Sequence, residues 1–279
     1  IDTGTNHSVP RLLASLEALG LGVDDVDYVI PTHVHLDHAG GAGLLMQQLP
    51  RARLVVHPRG ARHMIDPSVL MAGALAVYGQ EELTRSYGDV VGVREDRVVT
   101  THDGFTLDVA GRPLLFLDTP GHARHHHCIW DERSRGFFTG DTFGLSYREF
   151  DSERGAFLIP TTTPVQFEPD ALRASVERMQ AFDPRWMYLT HYGPVGDVKA
   201  LGRQFLGTLD AAVALGHAAA HHADRDGELR RGLGALYLDR LHAHGVAMTD
   251  ADALALLALD IELNAQGMGI WLDRLERKN

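Results

Sequence analysis

Apolar positions early in the chain switch from a helical to a strand period. Leu12, Leu13, Leu16 and Leu19 fall on one helical face, which predicts a helix over Val9–Leu19 stopped by Gly20. Val26-Asp27-Tyr28-Val29-Ile30 then reads as a short strand, and a histidine-rich segment begins two residues beyond it. The same grammar recurs four times. Short apolar runs at Arg53–His57, Pro113–Asp118, Gly136–Thr139 and Trp186–Leu189 each end near a histidine or aspartate. Residues 61–97, containing Pro67 and Gly73, read as a mixed, partly helical insertion near a pocket mouth. From Val198 onward the texture is Ala/Leu-rich and helical, with breaks near Asp224–Gly227 and Gly245–Thr249, so three helices are expected. Thr249, three residues before Asp252, suits an N-cap. This divides the chain into a strand-rich domain over 1–197 and a helical C-terminal subdomain over 198–279. The opening Ile1-Asp2-Thr3-Gly4 reads as a strand end and a turn, so a preceding segment is expected.

The length of 279 residues suits one large α/β unit with an appended subdomain. No apolar run approaches the roughly 20 residues that span a bilayer, so no membrane role is expected. A net charge of −11 argues against non-specific nucleic-acid binding, which needs Lys and Arg to neutralise phosphates. A single cysteine, Cys128, excludes an intrachain disulfide and fits a cytoplasmic setting; its place in a strand-like Cys128-Ile129-Trp130 makes it a packing residue rather than a nucleophile. Seventeen histidines exceed what surface decoration requires, which directs attention to metal binding.

Within Thr32-His33-Val34-His35-Leu36-Asp37-His38, the two histidines two apart can point one way and Asp37-His38 another, so one segment can serve two ions. His122 in Thr119-Pro120-Gly121-His122, Asp141 in Gly140-Asp141 and His191 in Thr190-His191 are the remaining candidates. His125 and His127 read as structural, since alternation along a strand start turns at most one face inward. His221, His222, His242 and His244 read as solvated helix residues.

The series His-x-His-x-Asp-His, Thr-Pro-Gly-His, Gly-Asp, Thr-His resembles the metallo-β-lactamase superfamily, specifically its glyoxalase-II-like binuclear branch, over roughly residues 1–195. The resemblance implies an α/β fold, the αβ/βα sandwich, here with the helical C-terminal subdomain. It implies His33, His35 and His122 on one metal, Asp37, His38 and His191 on a second, and Asp141 bridging both. Two divalent ions are expected, zinc or iron, with manganese also suited to such donors. The implied activity is hydrolysis of an ester, thioester or lactone by a metal-bridging hydroxide, with Asp37 orienting the nucleophile and Tyr147 donating to a developing oxyanion. Thr32, His126, Thr190 and Tyr192 are expected to support the ligands. The partner is a small-molecule substrate, and the helical C-terminal region offers a homodimer surface. Two other functions compete: a non-haem diiron protein that binds or reduces dioxygen, and a ligand-binding member of the fold with little turnover.

Overall fold

The structure, a computed structural model, describes residues 1–162 and 164–277; Lys278 and Asn279, the last two positions of the expected C-terminal subdomain, lie outside the described residues. Two compact units form. One holds Ile1–Asp118 with His125–Glu132, the other Thr119–Arg124 with the chain from Arg133 onward.

In the first unit, α1 (Val9–Ala18) lays Leu12, Leu13 and Leu16 against a core that includes Val29, Leu45, Met46, Leu54 and Val56. Leu19, expected on that face, is 74% exposed, because the helix ends at Ala18 and the chain turns away there. Of the predicted strand over 26–30 only β1 (Tyr28–Val29) pairs. The chain continues through α2 (Leu36–Ala39) and α3 (Ala42–Gln48) to β2 (Arg53–Val56), which lies parallel to β1 with Tyr28 opposite Arg53. The segment expected as a mixed insertion is chiefly helical: α4 (Pro58–Ile65), α5 (Ser68–Tyr78) and α6 (Gln80–Tyr87) precede β3 (Val98–Thr100), which pairs parallel to β2. Pro67 separates α4 from α5, as a helix-breaking residue should, whereas Gly73 sits inside α5.

The antiparallel strands β4 (Phe105–Val109), β5 (Arg112–Asp118) and β6 (His127–Asp131) complete this unit. Every residue of β6 is buried, and so are His125 and His126, so the expected inward–outward alternation does not hold. A strand covered on both faces must satisfy its polar side chains internally. Asp131 is paired with Arg112, and the His127 ring bonds to the Pro31 carbonyl at 2.9 Å and to Thr101 Oγ1 at 3.0 Å.

Burial, reinforced by the nearby His57, pushes the His127 imidazole down to about 4. The fold therefore holds it neutral, while the unfolded chain protonates near pH 6.5. Its contribution is present above pH 6.5 and is lost as pH falls to about 4, a change of about 3 kcal/mol. Urea unfolding of metal-free protein between pH 7 and 4 should show this loss in the wild type and a flatter profile in His127→Gln. Parallel profiles would mean that His127 is not what acid attacks.

In the second unit, β7 (Gly136–Gly140) connects through α7 (Pro169–Gln180) to β8 (Trp186–Leu189), its parallel partner, and β9 (Gly193–Val195) returns antiparallel to β8. Four helices follow where three were expected: α8 (Val198–Ala219), α9 (Arg225–His244), α10 (Asp250–Leu256) and α11 (Ala258–Glu276). The extra break is a bend of 62° about Leu257, with no Gly or Pro to announce it. Thr249 caps α10 as expected, accepting the Asp252 N–H at 3.2 Å. Phe143 stacks on Phe205 of α8 at 5.8 Å and Phe167 meets Trp271 of α11 at 6.0 Å, which ties the loops around the strands to these helices. Among the described residues no single helix is long and apolar enough to cross a membrane.

Candidate functional site

The expected metal ligands fall in both units: His33, His35, Asp37 and His38 in the first, His122, Asp141 and His191 in the second. The first four were expected on a loop after a strand. His33 and His35 do lie on irregular backbone after β1, but Asp37 and His38 lie on the single turn of α2, for which His35 is the N-cap. This change from extended to helical backbone divides the donors into two pairs. His33 Nε2 and His35 Nδ1 are 2.7 Å apart, and His38 Nε2 lies 3.3 Å from Asp37 Oδ2.

The back of each ring is held. Thr32 Oγ1 sits 3.2 Å from His33 Nδ1, while Nε2 faces His35. His38 Nδ1 donates to Asp2 Oδ2 at 3.0 Å, which turns its Nε2 toward Asp37. Asp2 in turn accepts the Thr32 N–H at 2.7 Å, and the His38 carbonyl accepts the Thr3 N–H at 2.7 Å. A carboxylate behind a ligating imidazole fixes its tautomer and raises its basicity. Sequence reasoning took Asp2 only as part of a turn; its place in a strand-end Asp-Thr-Gly was the available signal. His126, expected to support the ligands, is fully buried and stacks on His33 with ring centroids 4.8 Å apart. His125 accepts the Val34 N–H at 3.4 Å, a structural role as expected.

In the second unit Asp141 is central. Its side chain is nearly buried, with Oδ2 at 3.4 Å from His122 Nε2 and Oδ1 at 3.5 Å from His191 Nε2. One carboxylate thus offers a different oxygen to each of two histidines. His122 Nδ1 faces Thr161, at 3.0 Å from Oγ1 and 3.2 Å from the carbonyl, while Thr161 Oγ1 donates to the Asp141 carbonyl at 3.1 Å. Thr190, before His191, is half-buried at the end of β8.

Tyr147, expected to donate to a developing oxyanion, has a partner on α11. Its hydroxyl donates to Asp260 Oδ2 at 2.7 Å, and its ring packs on Tyr192 with centroids 4.4 Å apart. Burial pushes the Asp260 carboxyl above its usual range, and burial together with Tyr192 and Asp260 pushes the phenol upward too. Tyr192 has a left-handed backbone, φ 77°, and its carbonyl accepts the Arg148 Nε–H at 2.8 Å. Asp260, on α11, escaped sequence reasoning, since one acid on a helix reads as a solvated position. Because the Tyr147 proton is committed to Asp260, Tyr147→Phe should lower kcat by less than about fivefold, the worth of one hydrogen bond. A loss of about a hundredfold or more would restore the oxyanion role.

The donor chemistry fits divalent ions. Two donors on one tetrahedral zinc stand roughly 3.3 Å apart. The Asp37–His38, His122–Asp141 and His191–Asp141 separations of 3.3, 3.4 and 3.5 Å match this, and the His33–His35 separation of 2.7 Å is shorter. Imidazole and carboxylate together suit zinc, iron and manganese.

Residues 1–191 match the family model of the metallo-beta-lactamase superfamily, and the chain belongs to that superfamily. It has the metallo-β-lactamase fold, with mixed sheets flanked by helices and a helical C-terminal region. It is 28% identical over 199 residues to the metallo-beta-lactamase fold-containing protein ST1585 of Sulfurisphaera tokodaii, covering 70% of this chain and 68% of that one. The crystal structure of ST1585 superposes with a TM-score of 0.56 at 27% identity, over 66% of this chain and 68% of that one. The metallo-beta-lactamase family protein TTHA1429 of Thermus thermophilus shares the fold over 99% of this chain and 84% of its own, with a TM-score of 0.68 at 21% identity. A hydroxyacylglutathione hydrolase of Synechococcus is 32% identical over 145 residues; the match spans 50% of this chain and 45% of that enzyme.

Proposed function

We propose that the chain is a binuclear metal-dependent hydrolase of an ester, thioester or lactone, using two divalent ions. The observation that carries this reading is Asp141, which aims one oxygen at His122 and the other at His191. The first unit's donors are divided in the same way, His33 with His35 and Asp37 with His38. In this assignment His33, His35 and His122 hold one ion, Asp37, His38 and His191 the other, and Asp141 both. When bound, such a pair makes water a competent nucleophile near neutral pH and polarises a carbonyl oxygen. Asp37, with 44% of its side chain exposed, is open enough to accept a hydrogen bond from the attacking water and orient it. The imidazoles have their far nitrogens occupied by Thr32, Asp2 and Thr161, so the near nitrogens of His33, His38 and His122 stay aimed without reorganisation during turnover. No side-chain nucleophile is required, and Cys128 is buried.

Superfamily membership supports a hydrolase, as does the similarity to an enzyme named as a hydroxyacylglutathione hydrolase. The test is metal content per chain by elemental mass spectrometry, followed by assay of the same preparation on thioester, ester and lactone panels. Two ions with turnover on one panel is the expected result. Two irons, no hydrolysis and reaction with dioxygen after anaerobic reduction would replace this reading with the diiron one.

A further inference from the structure

The helices after β9 carry a buried polar side chain that metal ligation alone does not explain. Asn264, in the middle of α11, is 4% exposed. Its Oδ1 accepts the Thr162 backbone N–H at 2.8 Å, and its Nδ2 donates to the Pro160 carbonyl at 3.0 Å. A second Nδ2 bond, 2.8 Å to the Tyr237 hydroxyl on α9, uses the other proton of the amide. Thr162 Oγ1 returns a bond to the Asn264 carbonyl at 2.9 Å. Both residues flanking Thr161 are therefore pinned by one side chain whose donors and acceptor are all used. A fully satisfied buried network of this kind is rigid, whereas removing its hub strands several groups at once.

Thr161 is the residue behind His122. It contacts His122 Nδ1 through both its hydroxyl and its carbonyl, and its hydroxyl bonds to the Asp141 backbone. We infer that Asn264 is a positioning residue for the metal centre: through the 160–162 segment it locks His122 with its proton on Nδ1 and its Nε2 aimed at Asp141. This rests on the two-metal reading above. It makes α11 a part of the site frame, acting selectively on the ion held by His122. Further along the same helix, Asp273 pairs with Arg225 and serves as an internal control.

The experiment is calorimetric titration of the metal-free chain with zinc, backed by competition with a chromophoric chelator and by thermal melts. The wild type should show two binding steps. Asn264→Ala should weaken one of them by about 10- to 100-fold and leave the other within about threefold, the size expected when the group orienting a ligand is lost. Asp273→Asn should leave both steps in place. Because Asn264→Ala strands buried groups, Thr162→Val is the second variant; it keeps Asn264 and should weaken the same step by a smaller factor. Unchanged steps in whichever of the two variants folds, or equal weakening of both steps, would overturn the role given to Asn264 while leaving the two-metal reading intact. A wild type that binds fewer than two zinc ions would overturn that reading and this inference with it.

Discussion

Asp141→Ala should strip at least one metal ion from the protein and reduce hydrolysis by on the order of a thousandfold or more, since metal activation supplies several kcal/mol and each 1.36 kcal/mol is tenfold in rate. In the second unit Asp141 faces both His122 and His191, with a separate oxygen for each at 3.4 and 3.5 Å. Alanine leaves the two imidazoles in place but removes the shared anion, so each ion loses a ligand and the cationic pair loses its neutralising charge. Asp141→Asn keeps the volume and one oxygen, and should fall between the two. The fold should tolerate both changes, since neither creates a new buried charge. The readouts are metal per chain by elemental mass spectrometry and kcat/KM on whichever panel substrate the wild type turns over. Retention of two ions per chain in Asp141→Ala would end the bridging assignment.

The parts of this site that the sequence announces are those whose function requires a particular residue type at a strand end. His33, His35, Asp37, His38, His122, Asp141 and His191 are legible because each follows a short apolar run with a polar side chain able to ligate, which packing of a core does not call for. What supports them is not legible. Asp2 reaches His38 across 36 positions, and Asn264 reaches Thr162 across 102. Neither relation leaves a local period, because a hydrogen bond between distant segments constrains only two residues. Helix α11 hid its role for a second reason: polar residues such as Asp260 and Asn264 on an Ala/Leu-rich helix read as its solvated face. The alternation expected at residues 125–127 failed in the opposite sense. Alternation presumes that one side of a strand is wet, and β6 is buried along its whole length. The bend at Leu257 was invisible because no breaker residue marks it. The expected N-terminal helix, by contrast, emerged nearly as drawn, since its apolar stripe is both its signal and its cause of stability.

Gly121→Ala should cost about 4 kcal/mol of stability, combining backbone strain of roughly 1–3 kcal/mol with overpacking of similar size. Gly121 has φ 130°, a conformation that side-chain-bearing residues rarely adopt, and a Cβ there would lie 2.2 Å from both the nitrogen and the Cα of Leu172 in α7. Neither neighbour is the movable end of a side chain. The turn is also pinned on both sides: the Glu168 N–H bonds to the Gly121 carbonyl at 2.8 Å, and Ser175 Oγ donates to the Pro120 carbonyl at 2.7 Å. Either α7 must slide outward or the Thr119–His122 turn must lift, and the second displacement carries His122 with it. The substitution therefore acts on fold and function together, unlike Asp141→Ala, which leaves the backbone alone. Urea unfolding of the metal-free variant measures the first effect, and zinc titration of whatever remains folded measures the second, expected as weakening of the step that depends on His122. A loss below about 1 kcal/mol would show that α7 yields easily. The glycine before His122 would then be there for reasons other than the close approach of this helix.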